Sequence, residues 1–334
     1  MARNQVTSID VAKLAGVSQP TVSRSFDPDS PVSPETRARV LKAAGELGYT
    51  PNVIARSLKS RSTNIVGIIM ANLTSSFFYP NVLEKFTLRL QAMGKQVLLF
   101  GAPPDRTVDE ILPQVMGYQV DSLIIASTTP GRAIIDEFTR YGTPVILFNR
   151  FSSATQANVI CCDNEEGGRQ IANALLDAGH QRIAYIAGPG STATNKMREK
   201  GFVEQLTTRG NSNLMREQGR YTYDFGRFAA RRLLDRNDPP DAIFCAADVM
   251  ALGALDAARY ELGITVPEEL SIIGFDDIPM ASWPAYNLTT ISQPVDEMID
   301  AAIQLIGDKN DGAPRGQTKL LPGKLIVRGS ARMA

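Results

Sequence analysis

The chain has 334 residues, 43% of them hydrophobic, and its 35 lysines and arginines balance 35 aspartates and glutamates. That is enough apolar material to bury a small head and two larger domains. No N-terminal apolar segment resembles a signal peptide and no run approaches a membrane span, which argues against a secreted or membrane-embedded protein and for the cytoplasm. Cys161, Cys162 and Cys245 have no metal-ligand spacing and sit in apolar, strand-like contexts, as reduced core residues do.

The first element is a pair of short helices between Thr7 and Phe26. Thr7 and Asp10 form a capping pair for the first, with Ile9, Val11, Ala12, Leu14 and Ala15 as its apolar positions. Gly16 ends it and Val17 fills the corner. Ser18 caps the second helix, Pro20 occupies its first turn, and Val22 and Phe26 point inward at i, i+4. Gln19, Pro20, Ser23 and Arg24 are thereby left facing outward. Gln and Arg make bidentate contacts to adenine and guanine edges in the major groove, while hydroxyls such as those of Thr7, Ser18 and Thr21 suit phosphate oxygens. A third helix follows, capped by Ser33 with Pro34 at its first position and Val40, Leu41, Ala44 and Leu47 at helical spacing.

Charge separates this head from the rest. Residues 1–62 carry nine basic side chains and five acidic ones, a net +4 in a chain whose total is zero, so the remainder carries −4. A basic head on an acidic body suits contact with phosphates. The segment from Tyr49 to Ser62 contains a helix of about two turns after Pro51, too short to be stable alone in water. It reads as a helix that folds only against a partner, with a plain interdomain linker as the alternative.

From residue 64 onward apolar strands alternate with helices. Candidate strands are Ile65 to Met70, Gln96 to Phe100, Ser122 to Ala126, Pro144 to Phe148, Arg182 to Ala187, Ala242 to Ala246 and Ser271 to Phe275, with a last strand at Leu325 to Val327. Near-continuous apolar strands between helices imply parallel sheets covered on both faces. Such sheets bind ligands beyond the carboxyl ends of their strands. The residues to inspect there are Asn72 to Phe78, Asn149, Arg150, Asp163, Gly188 to Thr192, Asp248, Asp276 and Asp277.

Several motifs combine with the head and the Pro51–Lys59 stretch: Phe77-Phe78, Asp163 to Gly168, Arg198 to Phe202, Asp248 to Gly253, Gly274 to Asp277 and Leu288 to Pro294. Over essentially its whole length the chain resembles the LacI/GalR family of bacterial transcription regulators, with its purine- and sugar-responsive repressors. The resemblance implies an α/β chain: an all-α helix-turn-helix head (1–50), a hinge helix and linker (51–63), and two doubly wound parallel-sheet subdomains of periplasmic-binding-protein type. These would be 64–162 with 294–322, and 163–293 with 323–334. Hinge helices of two subunits pair in the minor groove in that family, which assigns Asn52, Ala55, Leu58 and Lys59 to DNA, with Leu58 as the wedge. The effector would lie between the subdomains against Phe77, Phe78, Asn149, Arg150, Asp163, Arg198, Tyr221, Asp248 and Asp276, with Trp283 as a further stacking wall.

The chemistry of that set stands on its own: aromatic faces cover a ring, and Arg and Asp fix hydroxyls or carboxylates through charge-assisted hydrogen bonds. Ala247 departs from the family, where Asn often precedes the Asp of the Asp-x-Met-Ala-Leu-Gly motif. The effector is therefore open between a neutral sugar and an acidic or phosphorylated one, with purines less favoured. A homodimer on a pseudo-palindromic operator follows, and the absence of a leucine heptad after the last strand argues against a tetramer.

The rival readings are a sugar- or nucleotide-processing enzyme on a doubly wound fold and a solute-binding protein. Gly188-Pro189-Gly190-Ser191 lacks the Gly-Lys-Ser/Thr of a phosphate loop, and His180, the sole histidine, has no nearby nucleophile. No catalytic group, cofactor or metal site is expected. Replacing the wedge, Leu58→Ala, is expected to weaken specific operator binding while leaving effector binding intact, measured by DNA titration beside effector calorimetry; unchanged operator affinity would remove the wedge.

Overall fold

A computed structural model describes residues 6–27, 30–51, 63–71, 73, 77–102, 108–126, 131–151, 156–307 and 316–334. They form two compact units divided between Thr63 and Asn64. The expected hinge positions Asn52, Ala55, Leu58 and Lys59 lie outside the described residues.

The first unit packs three helices, α1 (Ser8–Ala15), α2 (Gln19–Ser25) and α3 (Pro34–Leu47). The Asp10 carboxylate accepts the backbone N–H of Thr7 at 2.9 Å and its hydroxyl at 2.7 Å, closing the start of α1. Gly16, at φ +63°, turns the chain out of α1 while its N–H donates to the carbonyls of Ala12 and Lys13. Ser18 and Ser33 accept backbone N–H groups of Thr21 and Thr36 and so cap α2 and α3. The core consists of Val11, Ala12, Ala15, Val22, Val40, Ala43 and Ala44, with Val17, Phe26, Leu47 and Tyr49 at its rim. Arg37 of α3 donates to the carbonyls of Ser25, Asp27 and Ser30, tying the end of α2 to the following loop. Ile9, Leu14 and Leu41, expected inside, are exposed. Each helix meets its neighbours along one narrow stripe, and these three side chains stand off it.

The second unit contains β1 (Ile65–Ala71), α4 (Phe78–Ala92), β2 (Gln96–Ala102), α5 (Leu112–Gly117), β3 (Ser122–Ala126), α6 (Arg132–Arg140), β4 (Val145–Phe148) and β5 (Asn158–Asp163). It continues through α7 (Asn164–Asp177), β6 (Ile183–Ala187), α8 (Ala193–Thr208), β7 (Met215–Gln218), α9 (Tyr223–Leu234), β8 (Ala242–Cys245), α10 (Asp248–Asp256) and β9 (Ser271–Asp276). Then come β10 (Thr289–Ser292), α11 (Val295–Gly307), β11 (Thr318–Pro322) and β12 (Lys324–Ile326). One sheet runs β11-β5-β4-β3-β1-β2, all parallel; the other runs β12-β10-β9-β8-β6-β7, parallel except for the antiparallel β12. The chain passes between the sheets three times: after β5, between β10 and α11, and between β11 and β12.

Strand alternation sorts the cores. In β1, Val66, Ile68 and Met70 pack with Phe86 and Leu90 of α4, while Ile69 and Ala71 face Phe100, Leu123 and Val145. In the other sheet Tyr185, Phe202 and Phe244 stack with ring centroids 4.9 to 5.9 Å apart. The strands the apolar pattern does not mark are β5, β7, β10 and β11. The edge strand β7 is largely polar, the edge strand β11 is short and largely exposed, and β10 buries Thr289 and Thr290 through hydrogen bonds rather than greasy side chains.

Two glycines set the distance between α7 and α8. A Cβ on Gly201 would stand 1.9 Å from the Glu165 carbonyl oxygen, and one on Gly168 would stand 2.3 Å from that of Arg198. Gly226 and Gly253 do the same for α9 and α10. Gly201→Ala is expected to destabilise the chain by roughly 1 to 3 kcal/mol, the usual cost of overpacking, against the ~1 kcal/mol gain that a free helix would show. Thermal unfolding distinguishes the two signs.

Candidate functional site

In the head, Thr7, Ser18, Gln19, Pro20, Ser23 and Arg24 are exposed and Thr21 is half-buried. The side chains are held by local bonds: Gln19 Nε2 donates to Ser8 Oγ at 3.1 Å, and Ser18 and Thr21 share a hydroxyl bond of 2.8 Å. α2 thus presents an amide, a guanidinium and three hydroxyls from its first turn and exposed side.

In the second unit, the carboxyl ends of the two sheets enclose a cavity of about 490 Å³. Ala71 and Arg150 border it from the first sheet's side, and Pro189, Ala247 and Asp276 from the second's. Phe77, Phe78 and Tyr79 enter it from the start of α4. A neighbouring cavity of about 300 Å³ shares Phe77, Phe78, Asp276 and Ile278 and extends past Lys85 and Gln293.

Arg198 and Asp276 form the charged floor. Arg198, in α8, is 3% exposed, and each of its three guanidinium nitrogens has a partner: Nη2 donates to Asp276 Oδ1 at 3.0 Å, Nε to Asn164 Oδ1 at 2.8 Å, and Nη1 to the Ala246 carbonyl. Its guanidinium carbon lies 3.7 Å from the centroid of Phe275, a cation–π contact. The close approach of α7 and α8 brings Asn164 within reach. Asn164 is itself oriented by donating to the Cys162 carbonyl at 2.9 Å.

Asp276 ends β9 at φ +123°, a conformation costly for an aspartate, and Asp277 follows at φ +55°. The turn is held from both sides: Gln293 Nε2 donates to Asp276 Oδ1 at 2.7 Å and Arg328 Nη2 to Asp277 Oδ1 at 2.7 Å. Burial pushes the Asp276 carboxyl up from its ordinary value while Arg198 draws it down. Among the described residues nothing donates to its Oδ2, which leaves that oxygen for a ligand hydroxyl.

The other walls combine apolar and polar groups. Asn149 ends β4 at φ +53° and is buried, and Arg150 beside it lies 5.8 Å over the Tyr79 ring. Tyr221 packs against Gly188, where a Cβ would collide with its ring at 2.3 Å. Its buried hydroxyl has no hydrogen-bond partner among the described residues.

The structure therefore brings Phe77, Phe78, Asn149, Arg150, Arg198, Tyr221 and Asp276 to one cavity. Three expected positions lie elsewhere. Asp248 is fully buried behind the wall, accepting the Thr290 hydroxyl at 2.5 Å and the Ile278 N–H at 2.9 Å, while its neighbours Ala247 and Val249 face the cavity. Asp163 caps α7 by accepting the Glu166 N–H at 3.0 Å. Trp283 is half exposed on the turn after Ser282 and borders neither cavity. Tyr79, Thr194, Arg220, Thr222 and Ile278 line the cavity without having been singled out, although Tyr79 extends the Phe77-Phe78 pair and Arg220 and Thr222 flank Tyr221.

His180 lies away from the cavity. Its ring packs beside Asp241, Nδ1 to Oδ1 3.2 Å, burial lowers its pKa from the ordinary histidine value, and the Gln181 N–H donates to the same Asp241 carboxylate. The three cysteines are buried thiols; burial raises Cys161 to about 11 and Cys162 to about 12. Among the described residues no cluster of His, Cys, Asp and Glu is arranged to hold a metal ion, and no helix is long and apolar enough to cross a membrane.

Two family models match the chain. "Bacterial regulatory proteins, lacI family" covers residues 8–52, and "Periplasmic binding protein-like domain" covers residues 172–331. The HTH-type transcriptional regulator DegA of Bacillus subtilis (strain 168) is 34% identical over 98% of each chain. The chain belongs to the LacI family. It is a DNA-binding transcriptional regulator, and its relatives are regulators rather than enzymes. Among solved structures, the Lac repressor dimer bound to operator and the anti-inducer ONPF matches at TM-score 0.88 and 29% identity, over 99% of this chain and 100% of that one. The CelR–cellobiose complex matches at TM-score 0.69 and 30% identity, over 98% and 100%.

For this LacI-family chain the buried Asp248 carries a pH consequence. Burial, reinforced by the negative charge of Asp276, pushes its carboxyl up to about 7 from 3.8. A raised acid contributes stability that is complete below the unfolded value near 4 and is lost as pH climbs toward 7. Asp248→Asn keeps an acceptor for Ile278 and offers a donor to Thr290. It is expected to stabilise the chain more at pH 8 than at pH 5, by an amount on the order of a few kcal/mol, in denaturant unfolding at both values. An equal effect at both would show that Asp248 is ionised throughout.

Proposed function

We propose that this chain is a cytoplasmic repressor that binds a pseudo-palindromic operator as a homodimer and is controlled by a small sugar-like effector in the 490 Å³ cavity. In this reading residues 1–50 read DNA and 51–63 form the hinge and linker. The effector-binding subdomains are 64–162 with 294–322 and 163–293 with 323–334. Gln19, Ser23 and Arg24 contact base edges; Thr7, Ser18, Pro20 and Thr21 meet the backbone; Asn52, Ala55, Leu58 and Lys59 enter the minor groove.

The observation that carries the effector reading is the composition of the cavity. Phe77, Phe78 and Tyr221 supply faces for the apolar side of a ring, and Arg198, Asp276 and Asn149 supply groups for its hydroxyls, from both lobes at once. A ligand bridging two lobes that are joined by three strand crossovers stabilises one angle between them, and that angle sets the spacing of paired hinges. By linkage the operator changes effector affinity by the same factor.

Selecting DNA from a random library with the purified chain is expected to yield half-sites related by a two-fold axis. Titrating the selected operator with and without sugars is expected to shift its affinity by about 5- to 150-fold, the usual range of such coupling. Arg198→Ala is expected to abolish that response while operator binding without effector remains. Selection that enriches no sequence, or a bound sugar that leaves operator affinity unchanged, would overturn the reading.

A further inference from the structure

The cavity carries more positive charge than a neutral sugar needs. Arg150, Arg198 and Arg220 all line it, and Asp276 is the one carboxylate among its described walls. The Arg198–Asp276 pair is self-compensating at 3.0 Å. Arg150 and Arg220 are not: among the described residues neither has a carboxylate partner. Among the described residues, the one hydrogen bond Arg150 makes goes to the carbonyl of the adjacent Asn149, at 3.2 Å. Asp276 feels the charge of Arg150 but is already paired with Arg198, and Ala247, Val249 and Ile278 in the same wall are apolar.

When a ligand fills such a cavity it removes water from the half-buried Arg150 and from the side of the exposed Arg220 that lines the cavity, and a cation desolvated without a counter-charge is unfavourable. A neutral sugar would leave that cost standing. A phosphate or carboxylate removes it, and guanidinium is the group whose forked donors match either anion bidentately. We propose, resting on the effector reading above, that the ligand is an anionic sugar. Its phosphate or carboxylate lies between Arg150 and Arg220, and its ring hydroxyls meet the Arg198–Asp276 pair.

The first test needs no knowledge of the sugar. Inorganic phosphate, titrated into the full chain at low ionic strength, is expected to raise its thermal stability saturably. The double variant Arg150→Gln/Arg220→Gln is expected to lose that effect and the exposed control Arg236→Gln to keep it. Calorimetry then compares matched ligands: ribose with ribose 5-phosphate, and glucose with glucose 6-phosphate and glucuronate. The anionic member of a pair is expected to bind at least ten-fold more tightly than its parent, and each single Arg→Gln change to remove most of that advantage. The phosphate and carboxylate arms separate the two anion sources. No saturable phosphate effect, or a neutral sugar that binds as tightly as its anionic counterpart and shifts operator affinity, would overturn the anionic assignment and leave the effector reading standing. The absence of any sugar effect on operator affinity would overturn the effector reading itself.

Discussion

A guanidinium withdrawn from water needs partners for its nitrogens, and the second unit supplies one to each nitrogen of Arg198. Its partners come from separate parts of the chain: Asn164 at the start of α7, the Ala246 carbonyl after β8, and Asp276 at the end of β9. Asn164 comes within reach of Arg198 because Gly168 and Gly201 let α7 and α8 approach with almost nothing between their backbones. The pair is then backed by the Phe275 ring, so the floor of the cavity is both charged and rigid.

The same pair ties the binding cavity to the connections between the lobes. Asp276 Oδ1 receives Gln293 as well as Arg198, and Gln293 lies where the chain leaves the second sheet for α11. The α11 helix is in turn fixed to α4 by Lys85 and Arg89 on Asp296 and Asp300, at 2.7 to 2.8 Å. Exposed ion pairs of this kind contribute little stability singly. Their value is geometric: α4 also carries Phe77 and Phe78 at its start, so the cavity wall and a crossover move as neighbours. Asp276 itself stands on a turn held in an unfavourable backbone conformation.

Asp248 shows why residue type and position misjudge a strand-end carboxylate. It sits at the amino end of α10, the place where a ligand-binding acid is expected. A helix's first residue and its neighbours point in different directions, and here Ala247 and Val249 take the cavity side while Asp248 turns inward to Thr290 and Ile278. Asp163 is consumed similarly by a helix cap. Trp283 follows a tight turn that carries it outward. In each case a competing hydrogen bond, distant in sequence for Asp248 and local for Asp163, or a turn took the side chain, and the residue's identity carried no sign of it.

The sequence by itself determined the elements whose causes are local. Caps at Thr7, Ser18 and Ser33, the break at Gly16, and the apolar runs of the central strands depend on neighbours within a few residues, and they sufficed to place a helix-turn-helix head before alternating strands and helices. Edge strands such as Met215–Gln218 escaped because one side of an edge is wet and needs no apolar run. Only the tertiary structure decided which strand-end residues share a cavity. It set Arg198 against Asp276, 78 positions later, and left Arg150 and Arg220 without carboxylates. Those outcomes rest on the helix approach that the glycines permit and on where the chain crosses between sheets, and such long-range geometry has no local signature.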